Sequence, residues 1–110
     1  MNQYFVISDD KNGKLAISSL VFENIADSVL NDMIENEYKN KLLKSYEKKK
    51  TKAKVSISKD KVNVECLLII SKDADLKTLS DAVKDTIYEN IYRQTEISNI
   101  KIITTILLTD

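Results

Sequence analysis

Between Val62 and Tyr92 the stretch "VNVECLLIISKDADLKTLSDAVKDTIYENIY" changes its hydrophobic period from two to 3.6, and no other feature constrains the fold as much. Val62, Val64, Cys66, Leu68 and Ile70 alternate with polar Asn63 and Glu65, the pattern of a strand with one buried face. Leu67 and Ile69 then make the second face apolar as well, which predicts cover on both sides at that end. After "SKDAD", Leu76, Leu79, Val83, Ile87 and Ile91 recur at helical spacing and form one apolar stripe. Asp73 or Asp75 can cap this helix by accepting a bond from an orphan N–H of its first turn.

The same two periods recur elsewhere. "GKLAIS" alternates Leu15 and Ile17 with polar neighbours and reads as a strand. Val21, Ile25, Val29 and Met33 follow at intervals of four, which predicts a helix over about 19–36 capped by Ser18 or Ser19. A lysine-rich connector with few apolar residues occupies about 37–53. "AKVSIS" places Val55 and Ile57 on one strand face, and Lys59 and Asp60 form a tight turn into the Val62 strand. At the end, "ISNIKIITTILLTD" aligns Ile100, Ile102, Ile106 and Leu108 with Thr104 in a long final strand. The order strand, helix, strand, strand, helix, strand predicts one α+β domain over residues 1–110. Its sheet is mostly antiparallel, with two helices packed on one face.

A sheet covered by helices on one side leaves its other face available. Leu67, Ile69, Ile103 and Leu107 point to that face and mark a candidate self-association surface, because contiguous exposed apolar area is uncommon in a soluble monomer. The alternative is that the N-terminal "QYFVIS" folds back and covers it.

Composition narrows the chemistry. No histidine is present, which removes the commonest general base, metal ligand and nucleophile partner. The only glycine is Gly13 and there is no proline, so a glycine-rich phosphate loop cannot be built. Cys66 is the sole cysteine; it excludes an internal disulfide and argues against zinc or iron–sulfur binding. Its place on the core register reads as a small inert hydrophobe. Asp81, Asp85 and Glu89, interleaved with Lys77 and Lys84, read as a solvated helix face. No catalytic, cofactor or metal site emerges, and an enzyme is not expected.

Seventeen basic and seventeen acidic residues leave no global field toward nucleic acid or membrane. The local exception is "KSYEKKKTKAK", where Lys44, Lys48, Lys49, Lys50, Lys52 and Lys54 stand against Glu47 alone. Such a run is a solvated connector or a candidate contact for polyanions, either RNA phosphates or anionic lipid headgroups. "MNQYFVISDDKNGK" carries acids where a signal peptide carries bases, and its apolar run is too short for one. The longest apolar run, "CLLII", cannot span a bilayer, so a cytoplasmic protein is expected.

The layout resembles the alkaline shock protein family of Gram-positive bacteria. Gly13, Lys14, Ile17, Ser18, Val21, Ile25 and Ala26 match its opening segment and first helix. Val55, Ile57, Val62, Val64 and Leu68 fit its hairpin, and Leu79, Val83, Ile87, Ile97, Ile100 and Ile102 fit its second helix and final strand. The resemblance runs from about Lys11 to Leu108. Two features depart from the pattern: the lysine-rich connector replaces a glycine-rich turn after the first helix, and "SKDAD" lacks the glycine expected before the second. The resemblance implies a non-catalytic scaffold or regulator tied to cell-envelope homeostasis and stress. It further implies a homo-oligomer or a membrane-anchored protein partner, and a place at the inner face of the cell membrane. The rival expectation is a small RNA- or ribosome-associated protein that grips phosphates through the connector lysines.

Overall fold

The computed structural model describes residues 3–10, 13–33, 53–58, 60–71 and 74–109. Seven elements follow one another: β1 (Tyr4–Asp10), β2 (Gly13–Ser18), α1 (Ser19–Asp32), β3 (Lys54–Ser58), β4 (Lys61–Ser71), α2 (Leu76–Thr95) and β5 (Ile100–Thr109). This is the α+β order expected from the sequence, with one strand added at the front. "QYFVIS" does not fold over the open sheet face. It forms β1 and pairs antiparallel with β2, running from Tyr4 opposite Ser18 to Asp10 opposite Gly13. Gly13 turns the chain at φ 129°, where any side chain would be strained.

The main sheet has the order β3-β4-β5. β3 and β4 form an antiparallel hairpin in which Ser58 faces Lys61; Lys59 of the expected turn lies outside the described residues. β5 returns parallel to β4, from Val62 beside Ile100 to Ser71 beside Thr109. Parallel neighbours need a long crossover, and α2 with its flanking turns provides it. The sheet is therefore antiparallel at one edge and parallel at the other.

Both helices lie on one face. From α1, Phe22, Ile25, Ala26, Val29, Leu30 and Met33 are buried; from α2, Leu79, Val83, Ile87 and Ile91. They meet Ile57 and the even-numbered residues of β4, of which Val62, Val64, Leu68 and Ile70 are fully enclosed. The strand's period of two and the helices' period of 3.6 thus deliver one contiguous core. Ser18 caps α1 by accepting the Leu20 N–H at 3.2 Å, and Asp75 caps α2 by accepting the Thr78 N–H at 3.2 Å. α2 ends at Glu96, held in the left-handed region at φ 62° without the usual glycine. Asn99 Nδ2 donates to the Asp60 carbonyl at 2.7 Å, which anchors the start of β5 to the β3–β4 turn. Within the helix-sheet interface the Ser80 and Thr104 hydroxyls satisfy each other at 2.7 Å.

The radius of gyration is 15.0 Å and the longest dimension 56 Å, against a radius of about 13 Å for a compact domain of this length. The β1–β2 hairpin belongs to a separate two-stranded sheet and joins the main body chiefly at the start of α1. There Gln3 accepts the Ser19 N–H on its carbonyl at 2.6 Å and donates its own N–H to the Ser19 hydroxyl at 3.2 Å.

Candidate functional site

The face of the main sheet opposite the helices is built from the odd-numbered residues of β4 and β5 together with Lys54, Ser56 and Ser58 of β3. Strand pairing places Leu67 beside Thr105 and Ile69 beside Leu107, with Ile103 one step diagonally from Leu67. The four apolar residues singled out in the sequence therefore form one patch. Leu67 and Ile69 are half-buried by their neighbours in the sheet, while Ile103 and Leu107 are 41% and 51% exposed. No described element lies over them, so the double cover expected at the far end of β4 is absent among the described residues. Toward β3 the same face becomes polar, with Lys54 opposite Glu65 and Ser56 opposite Asn63. An open depression of about 200 Å³ marks the boundary, lined by Lys54, Glu65, Cys66, Leu67 and Thr105.

The two edges of this sheet are finished differently. Val62 donates its N–H to the Asn99 carbonyl at 3.0 Å, which fixes the parallel ladder: odd-numbered β5 residues address β4, and even-numbered ones turn their N–H and C=O outward. At the β3 edge, side chains meet the outward N–H groups of Ala53 and Ile57, while that of Val55 meets no acceptor among the described residues. The Ile57 N–H donates to Gln3 Oε1 at 2.6 Å, and the Ala53 N–H donates to Asp27 Oδ1 at 2.9 Å. At the β5 edge, the outward N–H groups of Ile102, Thr104, Ile106 and Leu108 meet no acceptor among the described residues. Sequence reading missed this asymmetry, because Gln3 and Ile57 are 54 residues apart and no local pattern links them.

The remaining candidates resolve singly. Cys66 is buried on the helix-facing register of β4; desolvation, reinforced by the negative charge of Asp27, pushes its thiol up to about 12. A thiol held there is not a nucleophile near neutral pH. Asp81, Asp85 and Glu89 are exposed, with Lys77 pairing Asp81 at 3.3 Å and Arg93 pairing Glu89 at 3.5 Å, the (i, i+4) pairs of a solvated helix. On the same helix Tyr88 and Tyr92 stack with ring centroids 6.4 Å apart, both partly exposed. Asp75 sits below the usual carboxylate range because the Thr78 backbone N–H bonds it, which serves the cap. Lys54 belongs to β3 and is exposed on the open face; Lys44, Lys48, Lys49, Lys50 and Lys52 lie outside the described residues. Among the described residues no three metal-ligating side chains gather, and no helix is long and apolar enough to cross a membrane.

No family model, curated protein or solved structure matches the chain.

Proposed function

We propose that the chain is a non-catalytic scaffold or regulator that works by self-association and by binding protein partners. The observation that carries this reading is the apolar patch of Leu67, Ile69, Ile103 and Leu107, which no described element covers, on a sheet whose other face is packed by both helices. Sheets of this kind ordinarily bury one face and keep the solvent face polar. Here the polar half lies toward β3 and the apolar half toward β5, which concentrates contact area at one side.

The resemblance to the alkaline shock protein family supplies the setting: cell-envelope homeostasis, a cytoplasmic location, and a membrane-anchored protein partner at the inner face of the membrane. Its matching positions lie mostly in the core and do not include the patch. Ile25, Ala26, Val62, Val64, Leu68, Val83 and Ile87 belong to the core, so they speak for the scaffold. The patch speaks for what the scaffold does.

Light scattering coupled to size exclusion, over a concentration series at low and high salt, tests the reading. A dimer or larger assembly that persists at high salt is expected, because apolar contact is not screened. A strict monomer would overturn self-association. The site would then move to the connector lysines, where RNA binding that falls steeply with salt is the diagnostic result.

A further inference from the structure

We propose that a second copy of this chain adds to the β5 edge, antiparallel about a two-fold axis through Thr105, joining two three-stranded sheets into one continuous sheet. The inference rests on the self-association reading above and specifies how it happens.

Four observations lead to it. First, β5 is ten residues long against five for β3, and its outward N–H groups are unmet among the described residues. An unpaired edge of that length is a template for another strand. Second, the devices that normally blunt an edge are missing. The chain has no proline, the β4–β5 register runs without a bulge, and Lys101 is the one charge in "IKIITTILLT". The β3 edge, by contrast, has its Ile57 and Ala53 N–H groups taken up by Gln3 and Asp27.

Third, the strand is complementary to itself in one register. With Thr105 on the axis, Ile103 lies opposite the partner's Leu107 and Ile102 opposite the partner's Leu108. Residues that turn their backbone outward (102, 104, 106 and 108) then fall on the hydrogen-bonded pairs, as an antiparallel ladder requires. Ile103, Leu107 and Leu108, each at least 41% exposed in the single chain, all gain apolar cross-strand neighbours. Because the contact is isologous, it closes after two copies. Fourth, charge selects the direction. Antiparallel pairing sends the two Lys101 residues to opposite ends of the ladder, opposite Thr109. Parallel pairing would set them side by side, and shifting the axis to Thr104 would put Lys101 against Leu107.

In the resulting sheet the patches of the two copies abut across the axis. Leu67, Ile69, Ile103 and Leu107 of each chain form one apolar surface of twice the area, with the helices of both copies on the opposite side. A partner that recognises this surface sees it complete only in the dimer.

Cysteine cross-linking on the full chain is the test, with Cys66 left in place because it is buried. A non-hydrogen-bonded antiparallel pair holds its Cα atoms about 4.5 Å apart, within disulfide reach. Thr105→Cys alone is therefore expected to form a homodimer under mild oxidation. Ile103→Cys is not, since its two copies would lie about 13 Å apart along the strand. Mixing Ile103→Cys with Leu107→Cys is expected to yield the heterodimer. All three positions are exposed in the single chain, so the variants should fold. Equal cross-linking at every position, or none at Thr105→Cys while wild-type protein still self-associates, overturns edge pairing and leaves face stacking as the mode of assembly. Wild-type protein that stays monomeric at every concentration overturns the self-association reading and edge pairing together.

Discussion

The two edges of one sheet, formed by β3 and β5, receive opposite treatment. β3 is short, carries Lys54, Ser56 and Ser58 on the open face, and has the Ile57 N–H, with that of Ala53 just before the strand, capped by Gln3 and Asp27. β5 is twice as long and apolar on both faces, and among the described residues its outward groups are uncapped. A chain that only had to avoid aggregation would guard its longer and greasier edge first. Guarding the shorter one and leaving the longer one bare is the arrangement expected when β5 has an intended partner. The contrast also shows how the fold spends its polar side chains: Gln3, in the segment leading into β1, closes a strand that begins fifty residues later.

Substitutions separate the two edges, and the largest loss is expected in the core that they share. Leu68→Ala removes a fully buried side chain at the centre of the sheet that both edges share, and should destabilise by roughly 2–5 kcal/mol in chemical denaturation. Leu67→Ala, one residue away on the open face, should cost far less, which would confirm that only one face is packed. Asp27→Ala leaves the Ala53 N–H without its acceptor and should cost about 1–3 kcal/mol. Gln3→Ala should act in the same direction at Ile57, making the β3 edge resemble β5.

Cys66 gives a pH signature on the packed face. Its thiol is raised from 9.0 to about 12 in the fold, so the neutral form is held folded while the unfolded chain ionises first. The stability it contributes is whole below about pH 9 and is lost as pH rises from there toward 12. Wild-type protein should lose about 1.4 kcal/mol relative to Cys66→Ala by pH 10, read as a difference of denaturation midpoints. Asp27→Ala should bring the end of that loss to a lower pH, since its charge adds to the effect of burial. The smallest effect on folding belongs to Leu107→Lys: about 0.5 kcal/mol or less for an exposed position, together with loss of assembly in light scattering.

Much of this architecture was legible in the residues. The stripes of Val21 to Met33 and Leu76 to Ile91 became helices, and the alternation from Val62 to Ile70 became β4 with the expected face inward. Ile103 and Leu107 were placed on the open face because alternation fixes which side each residue takes. Three things were not legible. Alternation says nothing of strand direction, so the parallel return of β5 could not be read from it. "YFVI" has no period of two, which hid β1 within a segment that could equally have been a covering flap. Edge capping depends on contacts between residues far apart in the chain, Gln3 with Ile57 and Asp27 with Ala53, which no local pattern carries.

Amide hydrogen exchange, measured residue by residue across a range of protein concentrations, bears most directly on the claim that one edge is closed and the other awaits a copy. Ile57 and Ala53 should be protected at every concentration, because their acceptors lie within the chain. Ile102, Thr104, Ile106 and Leu108 should exchange quickly in dilute protein and become protected together as concentration rises. If those four amides exchange at one rate throughout, while the protein is shown to assemble, the β5 edge is not where copies meet.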